Sequence, residues 1–200
     1  SKKIRFEGDG YGEAWEKEAK KRGLSNNKST PEALKVNVSE KTIALYEELK
    51  VMNRVEVEAR HEIELEEYSM RIQIEGRIIG DIARNHIIPT VIKYQNRLID
   101  NVRGLKEIYG NDFKKHATEQ LGIIEEISER IAKINSGITR MIDARKKANK
   151  IEDAEERAFD YCNNVKVLFD DIRYHCDKLE VVVDDELWPL TKYREMLFIR

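Results

Sequence analysis

The chain has 200 residues, 37% of them charged, yet its 36 Lys and Arg and 38 Asp and Glu nearly cancel to a formal net charge of -2. That balance fits solvated, ion-paired helix faces and argues against the concentrated basic stripe of a nucleic-acid binder. With only 3 Pro and 10 Gly, and Ile, Leu, Glu, Lys and Arg abundant, the composition is that of an all-α protein long enough to bury a core.

At the N-terminus, Lys3–Phe6 reads as one short strand and Glu7–Gly12 as a turn. A short helix follows over about Glu13–Arg22, with Trp15 and Ala19 on one face and Gly23 as its stop. Ser25–Ser29 is a polar connector, and Thr30–Glu32 offers an N-cap with Pro31 at the first helical position. Ser39 caps another helix, in which Ile43, Tyr46 and Leu49 recur at helical spacing up to about Met52.

From about Asn53 to Tyr109 the pattern stays helical, with Ala59, Ile63, Ile72, Ile79, Ile82, Val91, Leu98, Val102, Leu105 and Tyr109 as inward positions. Uninterrupted, such a helix spans roughly 85 Å. Pro89 removes a backbone donor and predicts a bend inside it. Gly110 ends this helix and Asn111 caps the next, whose Leu121, Ile124, Ile127, Ile131, Ile134, Ile138 and Met141 step by threes and fours to about Ala148.

The last long helix repeats the rhythm with Ile151, Ala154, Ala158, Tyr161, Val165, Leu168, Ile172 and Leu179. Short connections at Gly110–Asn111 and Asn149–Lys150 predict antiparallel neighbours. The expected fold is an elongated antiparallel three-helix bundle with a very long first helix, preceded by short helices. Its parts are an N-terminal linker with short helices (1–52), the bundle (53–184) and a docked tail (185–200). The second and third helices, at roughly 57 Å and 50 Å, leave the first turns of the long one to pack elsewhere.

Each chemical motif has an ordinary reading beside it. Glu58 and His61 have the Glu-x-x-His spacing of di-iron bundles, but His86, His116 and His175 have no acid three residues before them. Gly8–Gly12 lacks the spacing and the Gly-Lys-Ser/Thr ending of a phosphate loop. Arg145–Lys150 is a basic cluster at a helix C-terminus, where cations complement the helix dipole. Cys162 and Cys176 sit roughly 21 Å apart along one helix, too far for a disulfide.

His175 adjoins Cys176 in sequence, but adjacent helical side chains diverge by about 100°, so the two make no nucleophile–base pair. Tyr161, Tyr174, Trp188 and Tyr193 read as packing or interface residues. The segment from Trp188 onward is too apolar to dangle in water and is expected to dock on the bundle or on a neighbouring subunit. Catalytic, cofactor-binding and metal-ligating residues are all read as none. No apolar run reaches membrane-spanning length and no leader pattern opens the chain, so a cytoplasmic setting is expected, with neither membrane nor nucleic acid as partner. The start at Ser1, without Met, suggests an excised piece of a longer protein.

Several of these segments carry a resemblance. Arg5–Leu24 with Thr30–Leu34, then ArgHisGluIleGluLeuGluGluTyr (Arg60–Tyr68), AsnHisIleIlePro (Asn85–Pro89) and the ending Asp185–Phe198, resemble the region that follows the catalytic part of type III glutamine synthetase. The resemblance covers essentially the whole chain and implies a parent enzyme that joins ammonia to glutamate with ATP, using divalent metal (Mg or Mn) held by carboxylates. No position here matches a catalytic motif of that family, so no catalytic residue is carried over and the fragment itself needs no cofactor. The resemblance implies as partners the enzyme's own catalytic domain and neighbouring subunits of a homo-oligomer. The rival readings are a stand-alone coiled-coil adaptor and, more remotely, a metal-dependent bundle enzyme built on Glu58 and His61.

Overall fold

The computed structural model describes residues 5–197, apart from the side chains of Tyr193 and Arg194. Among the described residues the regular structure is entirely helical. The expected strand at Lys3–Phe6 falls partly outside them, and Arg5 and Phe6 carry no regular structure. A strand without a partner leaves its ladder groups unpaired, which accounts for the irregular backbone at Arg5 and Phe6. Compactness divides the chain into two units, Ser1–Tyr68 and Ser69–Arg200.

In the first unit, α1 (Glu13–Arg22) buries Ala19 completely, and Trp15 packs its ring 5.1 Å from that of Phe6. Gly23 stops the helix in the left-handed region at φ 70°, its N–H closing back on Ala19 and Lys20 carbonyls. The next helix, α2 (Thr30–Lys35), starts one residue earlier than its sequence suggests. Ser29 is the N-cap, because its hydroxyl accepts from Glu32 N–H while the Glu32 carboxylate accepts from Ser29 N–H. Pro31 therefore stands second in the helix and is buried.

Ser39 caps α3 (Glu40–Glu48), which buries Ile43 and leaves Leu49, just beyond its end, 61% exposed. Asn53 opens α4 (Arg54–Asp81) with a reciprocal pair of bonds to Glu56. The Arg54 guanidinium forks onto both Glu40 oxygens at 3.0 and 2.6 Å and holds that carboxyl below the usual range.

The buried stripe of α4 differs in phase from the expected one. Val57, His61, Leu65 and Tyr68 are buried, whereas Ala59 is exposed and Ile63 is 62% exposed. Apolar residues lie on two faces of this helix, and packing selected the face two residues earlier, polar His61 included.

In the second unit the helical path passes Pro89 without a break, into α5 (Ile88–Tyr109). The irregularity is a π-helical turn over Ile82–Ile87, just before the proline. Pro89 can make no bond to the carbonyl four residues back and its ring crowds that carbonyl, so the wider turn relieves both problems. A second π-helical turn, Tyr161–Lys166, joins α8 (Ala154–Asp160) to α9 (Val167–Val182). Each π-turn follows an aspartate whose carboxylate accepts from an asparagine four residues on, Asp81 with Asn85 and Asp160 with Asn164.

The connection after α5 is longer than the expected Gly110–Asn111 turn. Gly110–Asp112 forms a 3-10 turn, α6 (Phe113–His116) adds one helical turn, and α7 (Thr118–Ala148) starts only after fully buried Ala117. His116 stacks on Tyr109 at 3.8 Å, which leaves Tyr109 on this corner, 44% exposed, and out of the core.

α7 is the central helix of this unit. Gln73 meets Asn149 at 3.3 Å, Arg84 meets Thr139 at 3.4 Å and Gln95 meets Ser128 at 2.8 Å, a register that runs antiparallel. On its other side Tyr161 meets Asn149 at 2.5 Å, Arg140 meets Asp171 at 2.9 Å and Arg130 meets His175 at 3.3 Å, again antiparallel. The core between them is the seam read from the sequence, with Ile127, Ile134, Ile138, Met141, Val165, Ile172 and Leu179 buried. Leu121, at 37% exposed, lies at its edge.

Candidate functional site

The second unit carries a groove of about 360 Å³ beside α9. Its apolar wall combines Ile79, Ile82 and Ala83 with Ile172, Cys176 and Trp188, and Glu75, Asp170, Asp177 and Glu180 stand on its rim beside Arg173. The π-turn places Ile82 and Ala83 there. The segment after α9 reaches it because Asp184 gathers the chain into a turn, accepting from the backbone of Glu186, Leu187 and Trp188, while Arg97 holds the Asp184 carboxylate at 3.2 Å. Lys192 then spans from Asp185 at 2.6 Å to the Glu180 carbonyl at 3.2 Å.

This much of the segment after α9 contacts its own helices. The Trp188 indole nitrogen is shielded from solvent and meets no acceptor among the described residues. Met196 and Leu197 remain 64% and 61% exposed. Phe198–Arg200 and the Tyr193 side chain lie outside the described residues.

The remaining candidates take ordinary places. Glu58 is exposed and 3.6 Å from Arg54, while His61 is buried, so the two do not share an open face. Among the described residues no three His, Cys, Asp or Glu gather to hold a metal ion. Gly8–Gly12 is a turn held by Asp9, whose carboxylate accepts from Tyr11 N–H and whose carbonyl accepts from Gly12 N–H. Both cysteines are free. Burial, helped by Asp177, pushes the Cys176 thiol up to about 11, which makes it a poor nucleophile at neutral pH. Tyr174 is 53% exposed, with Lys178 over its ring and its edge against His175.

His175 is the polar group that sequence reasoning undervalued. It is buried, with Nδ1 3.3 Å from the Arg130 guanidinium and Nε2 3.7 Å from Asp171. An arginine N–H can only donate, so Nδ1 must carry the lone pair and the ring is neutral with its proton on Nε2. Burial pushes its pKa down, Lys133 and Arg130 add to that, and Asp171 and Glu129 oppose it.

The unfolded chain therefore takes up this proton near pH ~6.5, before the folded chain does. Stability is full above that pH, falls as pH drops through it, and levels off once the folded ring is also protonated. Urea midpoints between pH 7.5 and 5 are expected to fall more steeply for the native chain than for His175→Gln. Equal slopes would remove His175 as the cause.

The fold thus defines an all-helical module among the described residues. A family model described as the glutamine synthetase C-terminal domain matches residues 1–106, and the chain belongs to that family. It is 43% identical over 201 residues to a glutamine synthetase of Bacteroides fragilis (strain YCH46), covering 100% of this chain and 28% of that protein. It is 30% identical to the type-3 glutamine synthetase of Dictyostelium discoideum, covering 99% of this chain and 27% of that one. A glutamine synthetase of Butyrivibrio fibrisolvens is 27% identical over 98% of this chain and 28% of its own length. The chain spans little more than a quarter of the relatives it matches. Among the described residues no helix is long and apolar enough to cross a membrane.

Proposed function

We propose that this chain is a non-catalytic structural and oligomerisation domain of a type III glutamine synthetase. The parent enzyme joins ammonia to glutamate with ATP and divalent metal, and its chemistry is carried by the remaining three quarters of the protein. The partners of this domain are then its own catalytic region and neighbouring subunits. One observation carries the reading: Met70, Ile74 and Ile78, spaced by fours on α4, are 53%, 48% and 52% exposed. Three large apolar side chains in a row on one helix face favour a covering partner. Met196 and Leu197 add a second exposed apolar patch.

The test uses the full-length enzyme. Deleting Trp188–Arg200, or placing serine at both Ile74 and Ile78, is expected to lower the fraction of assembled enzyme at micromolar concentration and its thermal midpoint. The KM for glutamate of the remaining oligomer should stay unchanged. The serine variant leaves core residues alone, so it reports on assembly even where the deletion disturbs folding. Full assembly and an unchanged midpoint in both variants would refute the reading.

A further inference from the structure

A second groove, of about 270 Å³, lies between α4 with its π-turn and α7. Three arginines converge on it, Arg77 and Arg84 from the first helix and Arg145 from the second. Arg77 and Arg84 are seven residues apart, two helical turns, and so stand on one face. The antiparallel register brings Arg145 to the same place, because Gln73–Asn149 and Arg84–Thr139 bracket it. Arg77 and Arg145 also both act electrostatically on the Tyr161 phenol, which puts their charges near one another.

Their surroundings are unusual for this chain. Arg54, Arg97, Arg103, Arg130, Arg140 and Arg173 each rest within 4.0 Å of a carboxylate. Among the described residues Arg77, Arg84 and Arg145 have no such partner, and Arg84 donates only to the Thr139 hydroxyl. Asp81 lines the groove but accepts from Asn85. Three guanidinium groups thus line one groove over an apolar floor that includes Ile138 and Met141, with Asp81 as the single carboxylate among the lining residues. Their mutual repulsion is unfavourable, and a low-polarity floor strengthens any anion contact.

We propose that this groove binds a small, multiply charged oxyanion, a phosphate or dicarboxylate group, gripped by Arg77, Arg84 and Arg145. Guanidinium forks match both oxyanions in geometry and charge. The volume suits a small anion and leaves no room for a peptide segment. Gly76 and Gly80, on the groove's wall, present no side chain to fill it. The proposal does not depend on the assembly role, since the site lies wholly within the second unit.

The experiment follows thermal midpoints and calorimetric titrations of the full chain with inorganic phosphate and, separately, glutarate, against sodium chloride at equal ionic strength. At least one oxyanion is expected to raise the midpoint saturably, and the two arms decide between phosphate and carboxylate. Arg84→Gln and Arg145→Gln should each weaken binding by about ten-fold, the loss of one charge-assisted hydrogen bond. Arg145→Lys should also weaken it, because an ammonium cannot fork. Arg84 is exposed on its helix, so its variant remains folded and decides the matter if Arg145→Gln does not. No effect beyond chloride would overturn the proposal, as would a non-saturating rise shared by native and Arg84→Gln chains, which is general salting-out.

Discussion

Leu179→Ala is expected to lower the unfolding free energy of the helical unit by about 2–5 kcal/mol. Leu179 has no exposed surface, on the face of α9 that also buries Ile172 and Cys176. Truncation removes the transfer free energy of three carbon atoms and leaves a void that helices fixed by neighbouring contacts can close only in part. Val181, two residues further along the same helix, is 83% exposed, and Val181→Ala should change stability by less than about 0.5 kcal/mol. The contrast separates burial from helix propensity, which both substitutions improve.

Trp188 fluorescence in a Trp15→Phe background reports on this unit alone, since Trp15 belongs to the other. Urea midpoints from that probe check the pair. Equal shifts for the two substitutions would refute the assigned core.

Gly137→Ala and Gly122→Ala are expected to have opposite signs although both lie in α7. A methyl group at Gly137 would stand 2.8 Å from Ile172 Cγ1, a mid-chain atom of a side chain that is itself buried and has no room to yield. Overpacking of this kind costs about 1–3 kcal/mol. The gain in helix propensity on replacing glycine is about 1 kcal/mol, so the net effect at Gly137 is a loss of up to about 2 kcal/mol. At Gly122 the same methyl meets nothing within 4 Å, and only the gain of about 1 kcal/mol remains. The same fluorescence melts check both. A stabilised Gly137→Ala protein would mean that α7 and α9 do not approach as closely as described.

Much of the fold is legible in the residues themselves, because helix formation and helix packing leave local signals. The apolar steps of three and four from Ile127 to Met141 and from Ala158 to Leu179 mark faces that are buried. Gly23 and Ser39 act as stop and cap where the chain has the residues that those backbone conformations require. Other features depend on what a segment meets in space. The stripe through Ala59 and Ile63 is as apolar as the one through Val57 and Leu65, and periodicity alone does not choose between them. The turn around Gly110 is set by the stacking of His116 on Tyr109, a contact between residues on either side of it.

The π-turns had a faint signal in the Asp-x-x-x-Asn spacing of Asp81–Asn85 and Asp160–Asn164, and Pro89 announced an irregularity without its form. Neither groove was legible. One joins Ile82 to Trp188 and the other joins Arg77 to Arg145, and no local pattern records which distant residues become neighbours.

The sequence by itself therefore determined that this chain is helical, where most of its helices begin and end, and which family it resembles, since caps, breakers, periodicity and motif order are properties of neighbouring residues. Tertiary structure alone decided which of two apolar faces of α4 is buried, how Pro89 is accommodated, and that three arginines from two helices share one groove. Those outcomes depend on antiparallel register, which pairs residues from 33 to 76 positions apart and is set by the packing of whole helices.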